Sequence, residues 1–294
     1  MVRVDSLVKR YGKVSAVDGI SFEVGEGEVF GFLGPNGAGK TTTLRMITGL
    51  SRPTSGTAMV DGIDVSRYPT RVHRRIGVVF EQPNLYERLT GEENMRFFGR
   101  LYGVGKARVS EVLERLELGD AARRPVQKYS KGMQQKILIG RALLHQPKVL
   151  FLDEPTSGLD PSAAAIIRGM VKELNAAGTT VILTTHYMEE ADELCGRVAF
   201  IAAGKIAAID EPQTLKLQYG KRQIRVELND ETPNGAGAGE LPHGSSGSVE
   251  IPMDSPDVGA RLKELVDSGR VKTIHTQEAT LADVFIRLTG RELR

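Results

Sequence analysis

The stretch Gly34 to Thr41 reads GPNGAGKT, and residues of these types at this spacing can hold phosphate. Glycines let backbone N–H groups turn inward onto phosphate oxygens. A helix beginning near Lys40 points the positive end of its dipole at the same oxygens. Lys40 can bridge the two outer phosphates of a nucleoside triphosphate, and the Thr41 hydroxyl can ligate Mg²⁺. The candidate binding loop is thus Gly34, Pro35, Asn36, Gly37, Ala38, Gly39, Lys40, Thr41 and Thr42. A second stretch, KVLFLDEP, is an apolar run ending in two adjacent carboxylates, Asp153 and Glu154. Asp153 is the candidate for a second Mg²⁺ anchor. Glu154 would face the terminal phosphate, where a carboxylate can polarise an attacking water. Each stretch alone has a bland reading: a glycine turn that binds nothing, or two strand-end acids in solvent. Together, with the loop placed after an apolar strand and before a helical run, they favour phosphate chemistry.

The elements that must position these residues follow from periodicity. Residues 14–33 alternate and then turn apolar, closing in the buried strand EVFGFLG, and TTTLRMITGL after the loop has helical spacing. TSGTAMVDGIDV reads as a hairpin about an Asp-Gly turn, and IGVVF at 76–80 as a short strand. From about 84 to 145 the pattern is helical, in ERLTGEENMRFFGRLYG, KARVSEVLERLEL and KGMQQKILIGRALL. KVLFLDEP and TTVILTTH are buried strands around the helix PSAAAIIRGMVKELNAAG; MEEADELC is a short helix and RVAFIAAGKIAAID a hairpin. Strands alternating with helices predict a parallel-sheet α/β core over residues 1–211. A small α+β appendage over 212–294 follows: helix EPQTLKLQYG, strand QIRVEL, a flexible Gly/Ser/Pro-rich loop at 229–249, helix DVGARLKELVDSG, strand VKTIHTQ and helix TLADVFIRLTG.

Bulk properties narrow the function classes. The 294 residues are 40% hydrophobic and 26% charged, with a net charge of +2, so no strongly basic domain marks a nucleic-acid binder. The single cysteine, Cys195, allows no internal disulfide, which suits a reducing compartment. MVRVDSLVKRYGK lacks the apolar core of a signal peptide, and no run of about 18 apolar residues could span a bilayer. A role in transport would require another chain to supply the pore.

Over about residues 1–210 the chain resembles the nucleotide-binding subunits of ATP-binding cassette (ABC) transporters, in motif identity and motif order. YSKGMQQ, Tyr129 to Gln135, resembles the family's signature motif in a variant form, with Ser130 and Gly132 at the small positions and Lys131 between them. SGLD, Ser157 to Asp160, resembles the loop that couples two sites across a dimer. His186 resembles the switch histidine and Tyr11 the aromatic that stacks on adenine. The family carries a glutamine that contacts Mg²⁺ and the water. VVFEQPNLY places Glu81 at that position and Gln82, a metal-contact candidate, just after, and either could take the role.

The resemblance implies a phosphate-loop NTPase core of ABC type with an antiparallel β subdomain and a helical subdomain. It implies ATP and Mg²⁺ as ligands, with Lys40, Glu154 and His186 catalytic. It also implies a head-to-tail homodimer with two ATP molecules between the subunits, each Ser130 segment meeting the partner's ATP. An integral-membrane permease would be driven from the cytoplasmic face of the membrane. FGFLGPNGAGKTTTLRMITGL, the YSKGM variant and the tail ending LADVFIRLTG resemble bacterial exporter subunits of the ABC-2 type, with drug, polysaccharide or lipid-related substrates.

Two rivals exist. A soluble ABC ATPase acting on nucleic acid or ribosomes usually has two cassettes or long coiled coils. A phosphate-loop kinase would not need YSKGM, SGLD and the histidine in that order. The basic run RVHRR at 71–75 could contact phosphate or lipid, but a solvated helix face is the favoured reading. Tyr86, Phe97, Phe98 and Tyr102 have spacing that suits core packing. In the family this region docks the permease, so an exposed aromatic here would be a contact.

Overall fold

The computed structural model describes residues 1–220, 223–229, 247–253 and 255–290. These divide into two compact units, one over Met1–Pro212 and one beginning at Gln213. In the first unit, β1 (Val2–Tyr11), β2 (Val14–Val24), β4 (Ser55–Val60) and β5 (Ile63–Asp64) form an antiparallel sheet in the order β2, β1, β4, β5. Asp61 and Gly62 take φ of 50° and 72° between β4 and β5, which a tight two-residue hairpin demands.

The second sheet of this unit contains β3 (Val29–Leu33), β6 (Ile76–Val79), β7 (Val149–Asp153), β8 (Thr180–Thr185), β9 (Arg197–Ala202) and β10 (Lys205–Asp210). Its order is β10, β9, β3, β8, β7, β6, and every pair is parallel except β9 with β10. All residues of β3, β7 and β8 are buried, as parallel strands covered on both faces should be. Phe22 of β2 packs edge-on against Phe32 of β3 at 4.8 Å, within one apolar core shared by the two sheets.

Helices α1 (Lys40–Ile47), α2 (Pro69–His73), α3 (Gly91–Leu101), α4 (Lys106–Arg115), α5 (Lys131–Leu143), α6 (Pro161–Ala176) and α7 (Met188–Leu194) fill the connections. α3, α4 and α5 enclose a second core of Met95, Val109, Val112, Leu116 and Ile137. Gly140 of α5 admits Leu116, whose Cδ1 would lie 2.3 Å from any Cβ placed there. α3 starts later than the sequence pattern suggested. Glu87 to Leu89 are not helical, because Thr90 closes a capping box with Glu93 and fixes the first turn at Gly91. The two backbone and side-chain donors of Thr90 hold the Glu93 carboxyl below its ordinary range.

α8 (Pro212–Tyr219) leads into the second unit, where β11 (Gln223–Leu228), β12 (Ser248–Pro252) and β13 (Val271–Gln277) form an antiparallel sheet in the order β12, β11, β13. Ile224, Val226 and Ile251 form its core, with Val258, Leu262 and Leu265 of α9 (Val258–Asp267) packed on it. In α10 (Leu281–Thr289), Leu281, Val284 and Phe285 are buried and Leu288 is half-buried, so this face is covered within the single chain. Most of the loop expected at 229–249 lies outside the described residues, and its last two positions already belong to β12.

Candidate functional site

Parallel register brings the chemistry to one edge. Leu33 at the end of β3 stands beside Thr185 of β8, and Thr184 stands beside Asp153 at the end of β7. The loop after β3, the carboxylates after β7 and His186 after β8 therefore emerge together at the carboxyl ends of the strands, where open α/β sheets bind ligands.

The loop is built by its glycines. Gly37 and Gly39 take φ of 77° and 110°. A Cβ on Gly34 would sit 2.2 Å from the Ile201 carbonyl oxygen, and one on Gly39 would sit 2.6 Å from that of Ala16. Gly39 precedes α1, and Thr43 is the first residue of that helix whose N–H reaches an acceptor, Gly39 O at 2.9 Å. The N–H groups of Lys40, Thr41 and Thr42 head the helix without intrahelical acceptors, the arrangement that receives anions.

Lys40 is buried, 5% exposed. Its ammonium donates to Gly34 O at 2.5 Å and pairs with Glu154 Oε1 at 3.0 Å. The other Glu154 oxygen, Oε2, lies 2.7 Å from His186 Nδ1 and accepts the His186 backbone N–H at 3.3 Å. A carboxylate only accepts, so Nδ1 carries the proton in this pairing and Nε2 is left as the ring's acceptor. Glu154 itself takes φ of 52°, uncommon for a residue with a side chain. Its N–H is fixed there by Thr184, through the carbonyl at 3.1 Å and Oγ1 at 3.0 Å.

Asp153 is 1% exposed, and its Oδ1 accepts hydroxyls from Thr184 at 2.6 Å and Thr41 at 3.1 Å. Burial holds its carboxyl above the ordinary range, against the opposing pull of the two threonine hydrogen bonds. Thr184 escaped the sequence reading, although LTTH showed a buried strand ending in two hydroxyls before the histidine. It ties both carboxylate residues to β8.

The other candidates are held by contacts of their own. Tyr11 ends β1 with 52% of its surface exposed, and the Lys9 ammonium lies over its ring at 5.1 Å. Glu81 and Gln82 follow β6, are both exposed, and neither hydrogen-bonds Thr41 or Asp153. Ser130 caps α5 by accepting the Met133 N–H at 3.2 Å. Ser130 and Gly132 line a cleft of about 540 Å³ with Arg124, Lys136 and Ile166. Lys131 is exposed, and its Nζ would lie 3.4 Å from a Cβ on Gly158. The Asp160 carboxylate caps α6, accepting from Ala163 N at 2.9 Å. Of the insert's aromatics Phe98 packs against the helical core, whereas Tyr86, Phe97 and Tyr102 are exposed, with Tyr86 edge-on to Phe97 at 5.2 Å and Tyr102 stacked on His145 at 4.0 Å.

The ABC transporter family matches residues 17–157. A fluoroquinolones export ATP-binding protein of Mycobacterium tuberculosis is 43% identical over all of this chain and 94% of its own length. The chain belongs to the ATP-binding subunits of ABC transporters. A daunorubicin resistance ATP-binding protein of Streptomyces coeruleorubidus is 40% identical over 98% of this ABC subunit and 95% of the relative. Among solved structures, a dimeric ATP-binding cassette in a post-hydrolysis state with ADP and Pi aligns at a TM-score of 0.66. It is 30% identical over 72% of this subunit and 98% of that chain. The subunit therefore binds ATP and hydrolyses it to power transport, and the nucleic-acid or ribosome alternative is not favoured. Among the described residues no helix is long and apolar enough to cross a membrane.

Proposed function

We propose that this subunit drives export through a separate integral-membrane permease, working as one of two identical cassettes on the cytoplasmic face. What carries the hydrolytic part is the Glu154 carboxylate, held between Lys40 at 3.0 Å and His186 at 2.7 Å beside an anion-receiving helix start. ATP stacks on Tyr11 and lays its phosphates along Gly34–Thr42. Lys40 turns from Glu154 toward the outer phosphates, which frees one carboxylate oxygen to take a proton from the attacking water. His186 keeps the other oxygen oriented and presents Nε2 to the developing charge. The Ser130–Gly132 segment, at the capped start of α5, and Asp160 serve the partner's ATP rather than their own. The full-length likeness to export ATP-binding proteins supports the direction of transport. The exposed rings at Tyr86, Phe97 and Tyr102 support a permease contact on the helical insert.

The oxygen donors Thr41 and Asp153, 3.1 Å apart, suit a hard cation that keeps most of its ligands from phosphate and water. Mg²⁺ held there would neutralise phosphate charge. Gln82 and Glu81 are the remaining candidates beside it. ATP turnover by the purified chain should follow added Mg²⁺ and vanish with EDTA. If Glu81 fills the family's glutamine position, Glu81→Ala shifts the Mg²⁺ dependence more than Gln82→Ala does. The reverse ranking assigns the position to Gln82, and turnover indifferent to EDTA contradicts the metal.

A further inference from the structure

Residues 67–75 carry four arginines within nine positions, and the structure sets two of them over one exposed ring. Tyr68, 39% exposed, has the Arg67 guanidinium 5.3 Å from its ring centroid and that of Arg71 at 5.4 Å. Arg67, Arg71 and Arg74 are all exposed, and none has a carboxylate partner among the described residues. The nearby acids are already engaged. Asp61 pairs with Arg75 at 3.7 Å and Lys148 at 3.2 Å, and Asp64 accepts the Arg67 backbone N–H at 2.9 Å.

A solvated helix face does not explain this arrangement, because long arginines with free choice of rotamer would spread into water rather than gather on a ring. A guanidinium lying over a ring keeps its in-plane N–H groups free, and that fork matches two phosphate oxygens. A tyrosine with an apolar body and polar tip, flanked by arginines, is the composition that settles at the headgroup level of a bilayer. The place fits as well. His73, on the same helix α2, lines a cavity of about 210 Å³ together with Thr48, Phe98 and Tyr102. That cavity lies on the side proposed above to meet the permease, and hence the membrane.

We propose that Arg67, Tyr68, Arg71 and Arg74 form a contact for anionic lipid headgroups, seating the cassette against the bilayer beside its permease. The orientation rests on the permease reading. Vesicle binding by the chain alone does not require a permease, so either can fail without the other. The full chain should co-sediment with phosphatidylcholine vesicles containing phosphatidylglycerol, weakly or not at all with phosphatidylcholine alone, and less as salt rises. Arg67→Gln with Arg71→Gln should lower that partition roughly 25-fold, about fivefold per guanidinium. ATP turnover should be unchanged, which also shows that the variant folds. The chain contains no tryptophan, so Tyr68→Trp provides a single reporter whose emission should shift to the blue on anionic vesicles. Equal binding to neutral vesicles, unchanged partition in the double variant, or an unmoved Tyr68→Trp emission would overturn the proposal. So would full release by inorganic phosphate but not by chloride at matched ionic strength, which would mark a soluble-anion site instead.

Discussion

Glu154→Gln should lower ATP turnover by a factor of roughly 10²–10⁴ while leaving ATP binding intact. Glutamine keeps the length and an acceptor oxygen for the His186 Nδ1–H, so the dyad geometry at 2.7 Å survives. It also tolerates φ of 52° as glutamate does, because the two share the same backbone and Cβ sterics. What is lost is a basic oxygen to receive the water's proton. Lys40 retains Gly34 O and Pro35 O as acceptors, so the phosphate loop keeps its cation in place. With hydrolysis blocked, two subunits closed on ATP cannot reopen, and light scattering with ATP should give twice the mass seen without nucleotide. Wild-type turnover in Glu154→Gln would remove the residue from the role of base.

Lys40→Met should produce the second large effect, on nucleotide affinity and on the stability of the nucleotide-free protein at once. Methionine replaces the stem of a side chain that is 5% exposed but strands Glu154 Oε1, whose ionic partner at 3.0 Å is Lys40. Removing one member of a buried pair costs about 3–5 kcal/mol. The His186 contact with the other oxygen puts this case at the low end. ATP loses a charge-assisted hydrogen bond of about 1.5–3 kcal/mol, a weakening of roughly 10- to 150-fold. Thermal melts and titration with a fluorescent ATP analogue measure the two separately. In the double variant Lys40→Met with Glu154→Gln most of the stability returns, because position 154 then carries no unpaired buried charge. A Lys40→Met protein that melts like wild type would show that the pair does not hold the empty site together.

The chemistry was legible in the sequence to the extent that it is local. Gly34–Thr41 announces itself because the loop needs glycine at fixed places, where a Cβ would strike Ile201 O or Ala16 O. The pairing of Asp153 with Thr41 followed from the two stretches being read together. Thr184 is not legible in the sequence because its role is set by strand register: only the adjacency of β7 and β8 lets a buried threonine donate to the Asp153 carboxylate and accept the Glu154 N–H. Tyr86, Phe97 and Tyr102 share their helical spacing with Phe98, which does pack on the core, and spacing alone does not say which face meets a partner. The start of α3 was read too early, even though Thr90 and Glu93 spell out its cap, because apolar periodicity was weighed above the end signal.

Purification of the full chain from membranes, with identification of what stays bound, tests the central claim most directly. The account predicts a polytopic membrane protein in stoichiometric amount, whose presence raises ATP turnover above that of the chain alone. Recovery of the chain with ribosomes or nucleic acid, and with no membrane partner, would contradict it.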